Sequence, residues 1–145
     1  MIMDSNPFAT RTEPPPLCHP SHDHCFACGR LHPHGLGLRF TADAIGGVCA
    51  IWQPTATHQS YPGRLHGGIT STLLDCAMVH ALFLQSITGV TAEIQIRYYQ
   101  AVNLNDPLRI VGRVVSHRHS LYFCEAEVFQ QSVLAARAMA KFMAT

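Results

Sequence analysis

Residues Arg64 to Leu82 read RLHGGITSTLLDCAMVHAL. The stretch opens on His66-Gly67-Gly68, continues as an almost unbroken apolar run, and carries a single acidic residue, Asp75. Its length and near-total apolarity suit a helix buried on most faces better than a strand. The spacing predicts an end between Gln85 and Gly89, with Gly89 as the terminator. An unpaired buried charge is costly, so Asp75 must be satisfied locally or put to use.

The segments on either side have a different period. Upstream, LGLRFTAD and GGVCAIWQP flank Gly46-Gly47 and read as two short strands joined by a hairpin of the Gly-Gly kind. Downstream, TAEIQIRYYQ, PLRIVGRVVSHRH, LYFCEAEVFQ and LAARAMAKFMA are four β-type runs separated by turn-like NLND, RHS and QQS. In the first, Ile94, Ile96 and Tyr98 alternate with Glu93, Gln95 and Arg97, the signature of a half-buried strand. The last is Ala-rich and would suit a helix on propensity alone. It follows a meander directly, however, and alternation places Ala136, Ala138, Ala140 and Phe142 on one face, so a strand is expected. The order strand, strand, long buried helix, four strands predicts an α+β domain in which an antiparallel sheet wraps one central helix.

Composition narrows the partners. A chain of 145 residues reads as one domain, long enough to bury roughly 70% of its unfolded surface. A net charge of +1 with 13% charged residues leaves no basic footprint for nucleic acid. The expected partners are a small molecule and another copy of the chain. The first twenty residues hold Pro14-Pro15-Pro16 and no continuous apolar run, so no signal peptide is expected, nor a membrane span; the expected location is cytoplasmic. The six cysteines are expected to be free thiols, since several sit in apolar segments and the chain is large enough to fold without staples. Residues 1–34, rich in Pro, His, Asp and Ser, read as an irregular arm over a domain spanning 35–145.

LHGGITSTLLDCAM, with the acid seven residues after the second glycine, resembles the helix motif of the hotdog-fold acyl-CoA thioesterases, in particular the PaaI-like branch. TAEIQIRYYQAV, the Asp-Pro turn and the final AARAMAKFM match that family's strand order, and CFACGRLHPHGLGLRF is similar to an entry segment found in some of its members. The resemblance implies a homodimer, sometimes paired into a tetramer, with active sites shared between subunits. Spacing supports the sharing independently. Gly67 and Asp75 are eight residues apart, about 12 Å along a helix, too far to act on one carbonyl from the same chain.

The implied reaction is hydrolysis of an acyl-CoA or related thioester. Amides near Gly67 and Gly68 lie at the expected helix N-terminus, where unpaired N–H groups and the helix dipole favour a developing oxyanion. Asp75 from the opposite subunit would serve as general base or as nucleophile, and the sequence leaves that choice open. By resemblance, Thr91 stands where some relatives carry a water-holding hydroxyl, and Ser60 where they often carry Asn. His66 is expected to shape the glycine turn and to contact the thioester as part of the catalytic set, and His58 to line the entrance. Leu73, Leu74, Phe83, Tyr98, Tyr99 and Trp52 are the candidate acyl-pocket residues. Two other readings stand beside hydrolysis: a non-catalytic acyl-thioester-binding or zinc-stapled module in which Asp75 is structural, and an enoyl-thioester hydratase, for which no separate His-acid motif is found.

The arm also holds Cys18, His19, His22, His24, Cys25, Cys28, His32 and His34. Cys25-x-x-Cys28 is half of a zinc site, which Cys18 or His22 with His32 or His34 would complete. Against it, no second cysteine pair stands at knuckle spacing, and a Cys-Gly turn can be purely structural. No resident cofactor is therefore assigned; zinc, if bound, would staple the arm and take no part in catalysis.

Overall fold

The computed structural model describes residues 16–145. The first fifteen residues of the expected arm lie outside them. Six strands form one antiparallel sheet: β1 (Thr41–Ala42), β2 (Val48–Trp52), β3 (Gly89–Tyr98), β4 (Leu108–Arg118), β5 (Leu121–Gln130) and β6 (Val133–Ala144). Their order across the sheet is β1-β2-β4-β5-β6-β3. The helix α1 (Gly67–Leu84) packs on the concave face against β2 to β6. This is the sheet wrapped around one helix that the order of elements implied, and the hotdog fold that the resemblance implied. By length and composition alone α1 would pass for a membrane span. Here the sheet encloses it, with Leu73, Leu74, Ala77, Met78 and Leu82 at 0% exposure.

Small residues on the inner face let the helix sit close. Ala126 pairs with Ala138, Val128 with Ala136 and Cys124 with Ala140, all buried. The tightest approach is at Gly112 of β4, where a β-carbon would stand 2.6 Å from the Ala77 carbonyl oxygen. Only glycine allows α1 to lie on β4 at this point. The Ala-rich final run is the strand expected, with Ala136, Ala138, Ala140 and Phe142 facing the core: the sheet context overrides its helical propensity.

Two local expectations are corrected. Gly89 does not end α1; Ser86 does, with φ at 59°, the Ser86 amide bonded to the Phe83 carbonyl and the Ile87 amide reaching back to the Leu82 carbonyl. The left-handed residue that releases a helix need not be glycine when its side chain is small and polar. Gly89 instead opens β3, so close to β6 that a β-carbon would meet the Met143 carbonyl at 2.9 Å. The β1–β2 connection is not a two-residue Gly-Gly turn. It spans residues 43–47, organised by the Asp43 carboxylate, which accepts from the Ile45 and Gly47 amides at 3.0 and 2.7 Å.

Of the arm, residues 16–34 form turns and one short 3-10 segment and lie over the domain. Backbone bonds from Leu17 to Phe40, Leu36 to Phe26 and Leu38 to Ala27 tie it down, and Ala27 and Cys28 enter the core.

Candidate active site

α1 begins where His66 caps it. The His66 backbone is extended (φ −62°, ψ 129°), and its Nδ1 accepts from the Gly68 amide at 2.8 Å. This changes the expectation for the two glycines. The Gly68 N–H is already taken by an imidazole, whereas the Gly67 amide has no acceptor among the described residues and lies on an exposed helix terminus. One open donor at the positive end of the helix dipole remains for a ligand oxygen.

The loop before the helix sets that geometry. The His58 carbonyl accepts from the His66 amide at 2.8 Å, while the His58 ring accepts from the Thr55 amide and lies against Trp52 at 4.9 Å between centroids. Burial holds the His58 imidazole below its ordinary pKa. Ser60 is exposed; its amide bonds to the Arg64 carbonyl, and its hydroxyl has no partner among the described residues.

Gly67, Ser71 and Asp75 follow one another at four-residue spacing and so share one face of α1. That face looks onto β3. At one end the Tyr98 and Ser71 hydroxyls are hydrogen-bonded to each other at 2.6 Å, and their oxygens lie 2.9 and 3.1 Å from the Gly67 carbonyl, which accepts from whichever of them is not donating to the other. At the other end the Thr91 hydroxyl donates to Asp75 Oδ1 at 2.6 Å. Asp75 is thus half-buried and hydrogen-bonded, with no cation paired to it among the described residues.

The Thr91 contact depends on a β-bulge. Thr91 is opposite Phe142, but Glu93 is already opposite Lys141, so Ala92 is an extra residue. Continued from Ile94, Ile96 and Tyr98, simple alternation would point Thr91 outward with Glu93 and Gln95. The bulge turns it inward to the helix.

Beside Gly67 is a cavity of ≈ 300 Å³ lined by Leu65, Gly67, Thr70, Tyr98, Tyr99 and Val102 among others. Of the expected acyl-pocket residues, Tyr98 and Tyr99 border it. Leu73, Leu74 and Trp52 do not; they are core residues at 0%, 0% and 7% exposure, and the Trp52 indole N–H is spent on the Leu36 carbonyl at 2.7 Å. Phe83 packs on the arm, against His19 and His22. No sequence spacing foretells the Ser71–Tyr98 clamp on Gly67, because only the fold brings position 98 over position 71.

The opposite side of α1 meets the arm. His22, Cys25 and Cys28 bring their ligand atoms within 4.8 Å of one another, and so do Cys28, Cys76 and His80. Cys18, an expected zinc candidate, is outside both groups: it is exposed, with its thiol on the Pro16 carbonyl at 3.5 Å. His32 and His34 are outside them as well. No local spacing links Cys76 and His80 to the arm: they are four residues apart in the helix and some fifty from Cys28.

A family model described as the thioesterase superfamily matches residues 62–136. No curated protein matches. Among solved structures, a thioesterase superfamily protein aligns at TM-score 0.79 and 21% identity over 83% of this chain and 60% of its own length. This chain therefore spans about three-fifths of that protein. The Escherichia coli PaaI protein, from the phenylacetic acid degradation operon, aligns at TM-score 0.70 and 20% identity, covering 76% of this chain and 80% of that one. A hypothetical thioesterase from Streptococcus pneumoniae, solved with coenzyme A, aligns at TM-score 0.69 and 23% identity over 74% of this chain and 85% of its own.

Proposed function

This chain belongs to the thioesterase superfamily, and we propose that it hydrolyses an acyl-CoA or related thioester to a carboxylic acid and a free thiol. The observation that carries the reading is the pair of features on one face of α1: the open Gly67 amide at its N-terminus and the Asp75 carboxylate held by Thr91. The S. pneumoniae neighbour with coenzyme A supports the ligand class.

Because the two features are eight residues apart on one helix, the amide and the carboxylate that act on a given carbonyl come from different subunits. The edge that would join them is β3, ten residues long, largely exposed, and paired among the described residues with β6 alone. An open edge of this length is a template for pairing with a second copy. Pairing there brings each Asp75 and Thr91 towards the partner subunit.

In the reaction, the thioester carbonyl oxygen accepts from the Gly67 amide. Asp75 of the other subunit acts as general base: its Oδ2 takes a proton from water as the water oxygen bonds to the carbonyl carbon. The Thr91 hydroxyl, committed as a donor to Oδ1, keeps lone pairs that accept from the same water. Two acceptors on one water favour this role over direct attack by the carboxylate. The tetrahedral oxyanion is stabilised by the Gly67 N–H and the helix dipole. As it collapses the C–S bond breaks, the thiolate leaves, and the proton held by Asp75 passes to it. The cavity beside Gly67, between Tyr98 and Tyr99, receives the substrate near the scissile bond.

The deciding experiment is thiol release from a panel of aryl, short and medium acyl-CoAs by the wild type and Asp75→Asn, with matched size-exclusion profiles. Turnover that falls at least a hundredfold in the variant, with the oligomer intact, supports the reading. Equal rates refute it, and ligand binding without thiol release by either protein favours a binding module.

A further inference from the structure

The arm and the core helix converge on Cys28. Its Sγ is the shared corner of the two groups, His22/Cys25/Cys28 from the arm and Cys28/Cys76/His80 reaching into α1. The His22 Nδ1 lies 3.6 Å from it. Two ligands on one tetrahedral zinc, one sulfur and one nitrogen, are separated by about 3.6 Å given the usual Zn–S and Zn–N bond lengths.

His80 supplies the second observation. It is 2% exposed, stacked on Phe40 and edge-on to Phe83, and neither of its ring nitrogens has a hydrogen-bond partner among the described residues. A buried imidazole without any partner is costly, and a metal ion would satisfy it. A small cavity of ≈ 10 Å³ bordered by His22, Cys28 and His80 lies between the arm and the helix, about the space of one water-sized sphere. The local backbone suits a metal turn: Gly29, directly after Cys28, has no room for a β-carbon, which would stand 2.4 Å from the Cys25 nitrogen, and its amide bonds to the Cys25 carbonyl.

We propose that His22, Cys25 and Cys28, with His80 drawn in from the second group through the shared Cys28, close on a tetrahedral zinc ion that staples the arm to α1. Cys76 is left as a neighbouring thiol, since a buried thiol tolerates the lack of a partner and an imidazole does not. The site is on the side of α1 away from Asp75. Its role is structural, and binding displaces the thiol protons of Cys25 and Cys28 to solvent.

The test uses the full chain as purified from medium containing zinc, with metal quantified by mass spectrometry and free thiols counted before and after denaturation. One zinc per chain is expected. Replacement by cobalt should produce the thiolate charge-transfer and tetrahedral visible bands, which do not depend on activity. His80→Phe keeps the aromatic stack and removes the donors, so it should fold. It and Cys25→Ser should each weaken zinc binding by more than about a hundredfold, beyond the loss typical of an outer partner, while Cys18→Ala leaves it unchanged. A metal-free chain whose melting temperature ignores chelator overturns the proposal, as does a Cys25–Cys28 disulfide in the purified protein. Undiminished zinc in His80→Phe also overturns the ligand set.

Discussion

Thr91 Oγ1 and Asp75 Oδ1 are 2.6 Å apart, joining a bulge in an edge strand to the only carboxylate of the buried helix. The contact accounts for the presence of an acid in an apolar run: Asp75 reaches the rim of the sheet, and its second oxygen has no hydrogen-bond partner among the described residues. Removing the hydroxyl while keeping the shape separates these roles. Thr91→Val should lower kcat about tenfold, the worth of roughly one hydrogen bond to a charged group. Thr91→Ser should retain most of the activity. Steady-state thiol release with circular dichroism on both variants checks the pair, and equal loss in both would point to a packing role.

Gly67→Pro tests the proposed oxyanion donor. Proline at the first helical residue removes only an N–H that has no intrahelical partner, and the extended His66 backbone is the conformation a residue before proline prefers. A β-carbon at position 67 meets only the Tyr98 ring, at 3.8 Å. The helix should therefore stay intact while kcat falls by about 10²–10³.

The proposed sharing of sites between subunits makes a further demand. Gly67→Pro and Asp75→Asn homodimers should each be nearly inactive. Unfolded together and refolded as a mixture, they should regain about a quarter of the wild-type rate, because about half of the random dimers are mixed and each carries one intact site of two. No recovery, with mixed dimers demonstrated by mass spectrometry, would place both groups in one chain.

At Gly112, an added methyl group would stand 2.6 Å from the Ala77 carbonyl oxygen and 3.0 Å from its Cβ. Helix and strand must then separate. Gly112→Ala should destabilise the fold by about 1–3 kcal/mol, the usual cost of overpacking, read as a lower denaturation midpoint at unchanged slope.

Glu125 on the outer face of β5 accepts from Arg113 at 2.6 Å, with Arg137 at 3.4 Å. The Arg113 hydrogen bond holds its carboxyl below the usual range, and the charges of both arginines add to the effect. A folded-state pKa that is depressed gives stability above the unfolded value, about 4.3, and loses it as pH falls through the folded one. The melting-temperature gap between wild type and Glu125→Gln should therefore be constant near neutral pH and close below about pH 4.

The long apolar run from Ile69, with its lone acid and glycine entry, determined that a helix would be swallowed by a sheet. The alternation around Ile94, Ile96 and Tyr98 determined that a half-buried strand would follow. Both are local periodicities that hydrophobic burial enforces. The sequence also singled out Asp75, Gly67 and the Cys25-x-x-Cys28 turn. Tertiary structure decided what these residues meet. Thr91 reaches Asp75 only because Ala92 bulges out of register, and simple alternation points it the other way. The Gly68 amide is taken by His66, leaving the Gly67 amide as the open one at the helix N-terminus among the described residues. His80, by periodicity one more buried helix residue, faces Cys28 across an arm that sequence separates from it by about fifty residues. Contacts of this kind depend on strand register and on long-range packing, neither of which is encoded in the spacing of any one segment.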